Sequence, residues 1–108
     1  MTMSTVQIWD EAGFRTAVRS GGLVLADFYS EWCGPCKIQA ETLSGMSADI
    51  PENVQIGKVD VEAAPGVAAE FGIVSIPTLI LFKDGAAVET HVGLCSRDKL
   101  LAMLKKYF

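Results

Sequence analysis

Basic residues are in short supply in this chain, and long apolar runs are missing. Nine Lys and Arg stand against thirteen Asp and Glu, a formal net charge of −4. That balance repels phosphate backbones, so nucleic acid is not an expected partner. The longest apolar stretches are residues 23–26 and 76–82, the second broken by Pro77 and Thr78. Both fall far short of the roughly 20 residues that cross a bilayer, so no membrane association is expected. The start, Met1-Thr2-Met3-Ser4-Thr5, carries neither the basic residues nor the apolar segment of a secretory signal, and the expected location is the cytoplasm. With four prolines, ten glycines and half its residues apolar, the chain is neither collagen-like, disordered nor low-complexity.

Cysteine is scarce too. Cys33, Cys36 and Cys95 cannot make the even, larger set of a disulfide framework. A close pair in a reducing compartment reads as a metal site or a redox pair.

What is present is enough apolar sequence for one self-sufficient domain over residues 1–108, folding without metal or disulfide staples. No repeat or linker divides it. Residues 6–8 alternate as a short edge strand, and Asp10 can cap a helix with Ala12, Phe14, Ala17 and Val18 on one face. Residues 23–29 are apolar at nearly every position, the pattern of a strand buried on both faces. A helix follows Cys33 to about residue 49, with Pro51 as its limit. Residues 54–61 read as a strand, 63–71 as a short helix with Pro65 in its first turn, and 78–82 as another strand. Asp84-Gly85 makes a hairpin turn into residues 86–92, and Ser96 caps a last helix through Leu100, Leu101 and Leu104. Strands alternating with helices imply parallel crossovers, and the hairpin adds an antiparallel edge. The expected class is α/β: a three-layer α/β/α sandwich with a mixed five-stranded central sheet and four helices.

Cys33 and Cys36 fall where the buried strand ends and a helix begins. A spacing of three puts both thiols on one side of the first turn, close enough to bridge or to share a metal. Cys33, at the helix start, faces unpaired backbone N–H groups and the positive end of the helix dipole, so a lowered pKa and a nucleophilic thiolate are expected there. Cys36, one turn in, is expected to be more buried and to serve as the resolving thiol. Gly34 allows close approach of a partner chain, and Pro35 stiffens the turn without removing a used hydrogen bond. Zinc sites also use C-x-x-C, and Cys33, Cys36, His91 and Cys95 are a conceivable ligand set. The four-residue spacing of His91 (in a strand) and Cys95 (at a helix start) argues against convergence, so no metal is expected.

The run Trp32-Cys33-Gly34-Pro35-Cys36-Lys37 after Asp27-Phe28-Tyr29-Ser30-Glu31, with Lys58, Ile76-Pro77-Thr78, Phe82-Lys83-Asp84-Gly85 and Val92-Gly93, resembles the thioredoxin family from about Ser4 to the C-terminus. The resemblance implies the thioredoxin fold and a protein-disulfide reductase cycling between a Cys33–Cys36 dithiol and disulfide. It implies no bound cofactor; electrons come from NADPH through a separate flavoprotein, thioredoxin reductase. Disulfide-containing proteins would be the substrates, and a monomer the working form. It assigns Asp27 a raised pKa and proton exchange with Cys36, with Lys58 tuning Asp27. It also implies a cis Pro77 facing the cysteines, and an Ile76 backbone able to pair with an extended substrate segment. Trp32, Gly34, Pro35, Ile76, Pro77, Gly93 and Leu94 would form an exposed apolar docking patch. The alternative is a non-catalytic scaffold subunit using that same patch; an oxidase or isomerase is disfavoured by the Gly-Pro pair.

By contrast, Trp9, Phe14, Phe28, Phe71 and Phe82 read as core or core-edge aromatics, His91 as a surface strand residue and Cys95 as semi-buried. The chain departs from the family pattern in three places. Glu41 replaces a common helix-kinking proline, Tyr29 stands where Trp is frequent, and Leu94-Cys95 follows Gly93.

Overall fold

The structure is a computed structural model and describes residues 5–108. Met1 to Ser4, which bear on the secretory signal and on the start of the resemblance, lie outside the described residues. In chain order the elements are β1 (Val6–Trp9), α1 (Glu11–Arg19), β2 (Leu23–Tyr29), α2 (Gly34–Met46), a 3-10 turn (Ser47–Asp49), β3 (Gln55–Asp60), α3 (Pro65–Glu70), β4 (Thr78–Lys83), β5 (Ala86–Val92) and α4 (Arg97–Lys105).

Local chemistry accounts for the boundaries. The Asp10 carboxylate accepts the Gly13 N–H at 2.7 Å and starts α1; Ser96 accepts the Lys99 N–H at 3.3 Å and starts α4. Asp84 and Gly85 both have positive φ, 50° and 89°, as a tight two-residue hairpin demands. The Asp84 carboxylate also accepts the Gly22 N–H at 2.9 Å, fastening the hairpin to the start of β2. With no proline at position 41, α2 runs unbroken from Gly34 to Met46.

The five strands form one mixed sheet in the order β1-β3-β2-β4-β5. β2 is central and every one of its residues is buried. β1 is an edge, paired in parallel with β3, and β3 runs parallel to β2. The direction reverses one strand earlier than the hairpin alone implied, because β4 already runs antiparallel to β2. The six-residue α3 rises only about 9 Å, and the chain does not return along the sheet between β3 and β4. β4 therefore enters from the end at which β3 leaves.

Side-chain parity sorts the core into two layers. Leu23 and Leu25 of β2, Ile56 of β3 and Leu79 and Leu81 of β4 pack against Leu43 and Met46 of α2 and Leu100, Met103 and Leu104 of α4. Val24, Ala26 and Phe28, Val59, and Ile80 and Phe82 pack against Phe14 and Ala17 of α1 and Val67 of α3. The result is the expected α/β/α sandwich. Asp27 has the parity of Leu23 and Leu25, so it belongs to the face covered by α2 and α4.

Candidate active site

β2 delivers the chain to the end of the sheet at Tyr29, and α2 begins five residues later. Cys33 is the N-cap of α2, with extended backbone (φ −95°, ψ 111°), and Pro35 sits in the first turn. Cys33 and Cys36 are joined as a disulfide with their Cα atoms 5.2 Å apart. The Cys36 backbone N–H donates to the Cys33 sulfur at 3.1 Å, so the sulfur takes the place of a capping oxygen. Cys33 is partly exposed, while Cys36 is only 2% exposed.

The Ile76–Pro77 bond is cis, and the Ile76 carbonyl lies 3.8 Å from the Cys33 sulfur. The turn is closed from within by the Thr78 hydroxyl donating to the Ser75 carbonyl at 2.6 Å. Gly93, at φ 89°, donates its N–H to the Pro77 carbonyl at 2.8 Å, which ties the loop after β5 to the same spot. Trp32 is 85% exposed beside the cysteines, with Gly34, Pro35 and Leu94 also exposed and Ile76 and Gly93 half-buried. Pro77, expected in the exposed patch, is instead buried. It leads directly into an inner strand, leaving the half-buried Ile76 and the exposed Ser75 as the accessible residues of that turn.

Asp27 is wholly buried, and neither carboxylate oxygen has a hydrogen-bond partner among the described residues. Burial pushes its carboxyl up to about 7, with the Lys58 ammonium pulling the other way. Lys58 is directly opposite Asp27 in the β2–β3 register. Its Nζ stands 4.3 Å from the centre of the Tyr29 ring, and no Asp27–Lys58 ion pair forms among the described residues. Tyr29 thus gives the ammonium an aromatic face on which to rest. Tyr29, Ser30, Glu31, Cys36, Lys37, Ala40 and Lys58 line a cleft of about 150 Å³ on one side of the cysteine pair.

A surface dithiol or disulfide at a helix N-cap, backed by a buried carboxyl of raised pKa, suits thiol–disulfide exchange. The thioredoxin family model matches residues 5–106 of the chain.

The chain belongs to the thioredoxin family.

It is 48% identical over 102 residues to a thioredoxin of Chlamydia muridarum, covering 94% of this chain and 98% of that one. Identity to a thioredoxin of Bacillus subtilis is 40% over 92 residues, with 85% and 88% covered. The solved structure of a mutant thioredoxin from Halobacterium salinarum superposes with a TM-score of 0.87 at 29% identity, covering 99% of this chain and 94% of that one. As a thioredoxin-family member with an intact cysteine pair, the protein is a thiol–disulfide oxidoreductase, a protein-disulfide reductase.

Among the described residues no three His, Cys, Asp or Glu side chains gather as a metal site. The His91 ring meets the Leu94 carbonyl at 3.0 Å, and His91 is half-buried. Cys95 is 3% exposed, more buried than expected, and burial pushes its thiol up against a weaker pull from Lys99. Two features of this thioredoxin-family chain escaped the sequence reading. Val74 is almost fully exposed in the loop before Ile76. Gln39 is wholly buried in α2. A signal for Gln39 was available, because it lies on the helix face of Cys36, Leu43 and Met46, where an uncharged amide interrupts an apolar stripe.

Proposed function

We propose that reduced Cys33 is the attacking nucleophile and Cys36 the resolving thiol in the reduction of protein disulfides, with residues 1–108 acting as one monomeric domain. The Cys33 thiolate attacks one sulfur of a target disulfide. A mixed disulfide forms, the target's S–S bond breaks, and the departing thiolate takes up a proton. The Cys36 thiol then gives its proton to the Asp27 carboxylate and attacks the Cys33 sulfur. That forms the Cys33–Cys36 bond, expels the second target thiolate and transfers two electrons in all.

The observation that carries this reading is the N-cap geometry: the Cys36 N–H, 3.1 Å from the Cys33 sulfur, stabilises negative charge there. Lys58 supports the role of Asp27 by keeping its carboxyl near neutrality, where it can both accept and release a proton. Trp32, Gly34, Pro35, Ile76, Gly93 and Leu94 supply the docking face, with Pro77 holding Ile76 in place from beneath. An extended target strand would pair with the Ile76 backbone. The oxidised pair is returned to the dithiol by a flavoprotein thioredoxin reductase drawing on NADPH, in the cytoplasm.

Replacing Cys36 with Ser tests the assignment. The variant should accumulate a mixed disulfide on Cys33 with a protein substrate; capture through Cys95 would overturn it. The potential of the pair, equilibrated with glutathione, should lie below the cellular glutathione poise.

A further inference from the structure

We infer that Gln39 is a positioning residue for substrate docking, its buried amide holding the loop of Gly93 and Leu94 against the helix that carries Cys36. The inference rests on the proposed docking face and names what keeps two of its walls in register.

Gln39 is one turn beyond Cys36 on α2 and has no exposed surface. Its Oε1 accepts the Cys95 backbone N–H at 2.8 Å, and its Nε2 donates to the Cys95 carbonyl at 3.1 Å. A backbone N–H can only donate, so the amide orientation is decided by this pair of bonds. Cys95 lies between β5 and α4, outside both. One side chain thus serves both backbone polar groups of a buried residue that belongs to no strand or helix.

The rest of that loop is held toward the thiols. Gly93 donates to the Pro77 carbonyl, and the neighbouring Ile76 carbonyl is 3.8 Å from the Cys33 sulfur. His91 meets the Leu94 carbonyl at 3.0 Å. The loop is therefore anchored on one side to the Ile76–Pro77 turn and on the other, through Gln39 alone among these contacts, to α2. An amide is the group that fits. Leu or Met in its place leaves the Cys95 N–H and carbonyl buried without partners, and an ionised Glu turns lone pairs toward the carbonyl.

A protein disulfide must meet the loop and the thiols together, whereas a small disulfide needs only the thiols. The test is the ratio of second-order rate constants for reduced protein with insulin and with dithiobis(nitrobenzoate). In Gln39→Leu this ratio should fall at least about tenfold, within the roughly hundredfold that a misplacement of about an ångström can cost. Gln39→Met replaces it should the leucine variant fail to fold by circular dichroism. At pH 5, Gln39→Glu should restore the ratio measured for the unaltered chain, since a neutral carboxyl presents O–H to the Cys95 carbonyl and C=O to its N–H. A filler of core volume alone would not distinguish Glu from Leu in this way. A ratio within about twofold of the unaltered chain in a folded Leu or Met variant overturns the inference. So does a Glu variant at pH 5 no better than Leu. If the unaltered protein reduces neither disulfide, the proposed function falls, and this inference with it.

Discussion

The two faces of the sheet are filled by different chemistry. Under α1 and α3, Phe14 meets Phe28, Phe71 and Phe82 edge-on, with ring centres 5.6 to 5.9 Å apart, and Trp9 lies across Gly57. That layer is rings and small aliphatics, without a buried charge. Under α2 and α4 the filling is Leu, Ile and Met, and the same face holds the buried Asp27, Gln39 and Cys95. The cysteine helix, the carboxyl of raised pKa and the amide clamp all lie on the second side. Interlocked rings make the first side a rigid backing, each edge-to-face pair worth about 0.5–1.5 kcal/mol beyond burial. The second side accommodates polar groups that hydrocarbon would otherwise exclude, at a cost in stability that the first side can carry.

The largest expected effect would break this division of labour if it failed. Phe14→Ala should cost about 3–5 kcal/mol in denaturant unfolding, as for other buried aromatics. The rate of insulin reduction per folded molecule should stay as it is. A slower rate at full folding would mean that the aromatic layer takes part in the chemistry.

Asp27→Asn probes the other face and is next in size. The carboxyl sits near 7 when folded against 3.8 for its ordinary value, so the folded chain holds the proton more tightly. Stability is therefore undiminished below about pH 4, falls as pH rises toward 7, and is fully reduced above it. The span is roughly 4 kcal/mol at most for a shift of this size. Unfolding at pH 4 and pH 8 should show the unaltered chain losing stability relative to the Asn variant, which lacks this titration. Asp27→Asn should also slow release of the Cys33 mixed disulfide at neutral pH.

Gly57→Ala returns to the aromatic face by overfilling it. A Cβ there collides with the Trp9 indole, so the ring or strand β1 must shift. The expected loss is about 1–3 kcal/mol, read by thermal or denaturant unfolding, with thiol reactivity untouched.

The smallest effect sharpens the role of Lys58. Lys58→Met removes the one pull that lowers the Asp27 carboxyl, so its titration followed by carboxyl NMR should move above about 7. An unmoved midpoint would show that the ammonium, resting on Tyr29, does not reach Asp27.

Much of the fold is legible in the amino-acid sequence. The run at residues 23–29, apolar at every position but Asp27, announces a buried strand, and Asp84-Gly85 announces the hairpin between β4 and β5, because backbone sterics and burial act locally. The site's chemistry is legible for the same reason: Cys33, Pro35 and Cys36 lie within one turn, and a lone Asp27 in an apolar strand is conspicuous. The direction of β4 is not legible, since it depends on which end of the sheet the connection of residues 61–77 delivers the chain to. Nor is the depth of Pro77, which follows from β4 being an inner strand.

The elements, their layers and the redox pair thus come from the sequence directly, for they depend on residues near one another in the chain. What meets across the chain was left to tertiary packing. Residues 39 and 95 are 56 positions apart, unlike the neighbours of the C-x-x-C motif, and their two hydrogen bonds exist because α2 and the loop before α4 pack on the same face. The raised carboxyl of Asp27 is of the same kind. Its covalent chemistry is that of any aspartate, and its burial comes from strands and helices brought together from the whole chain.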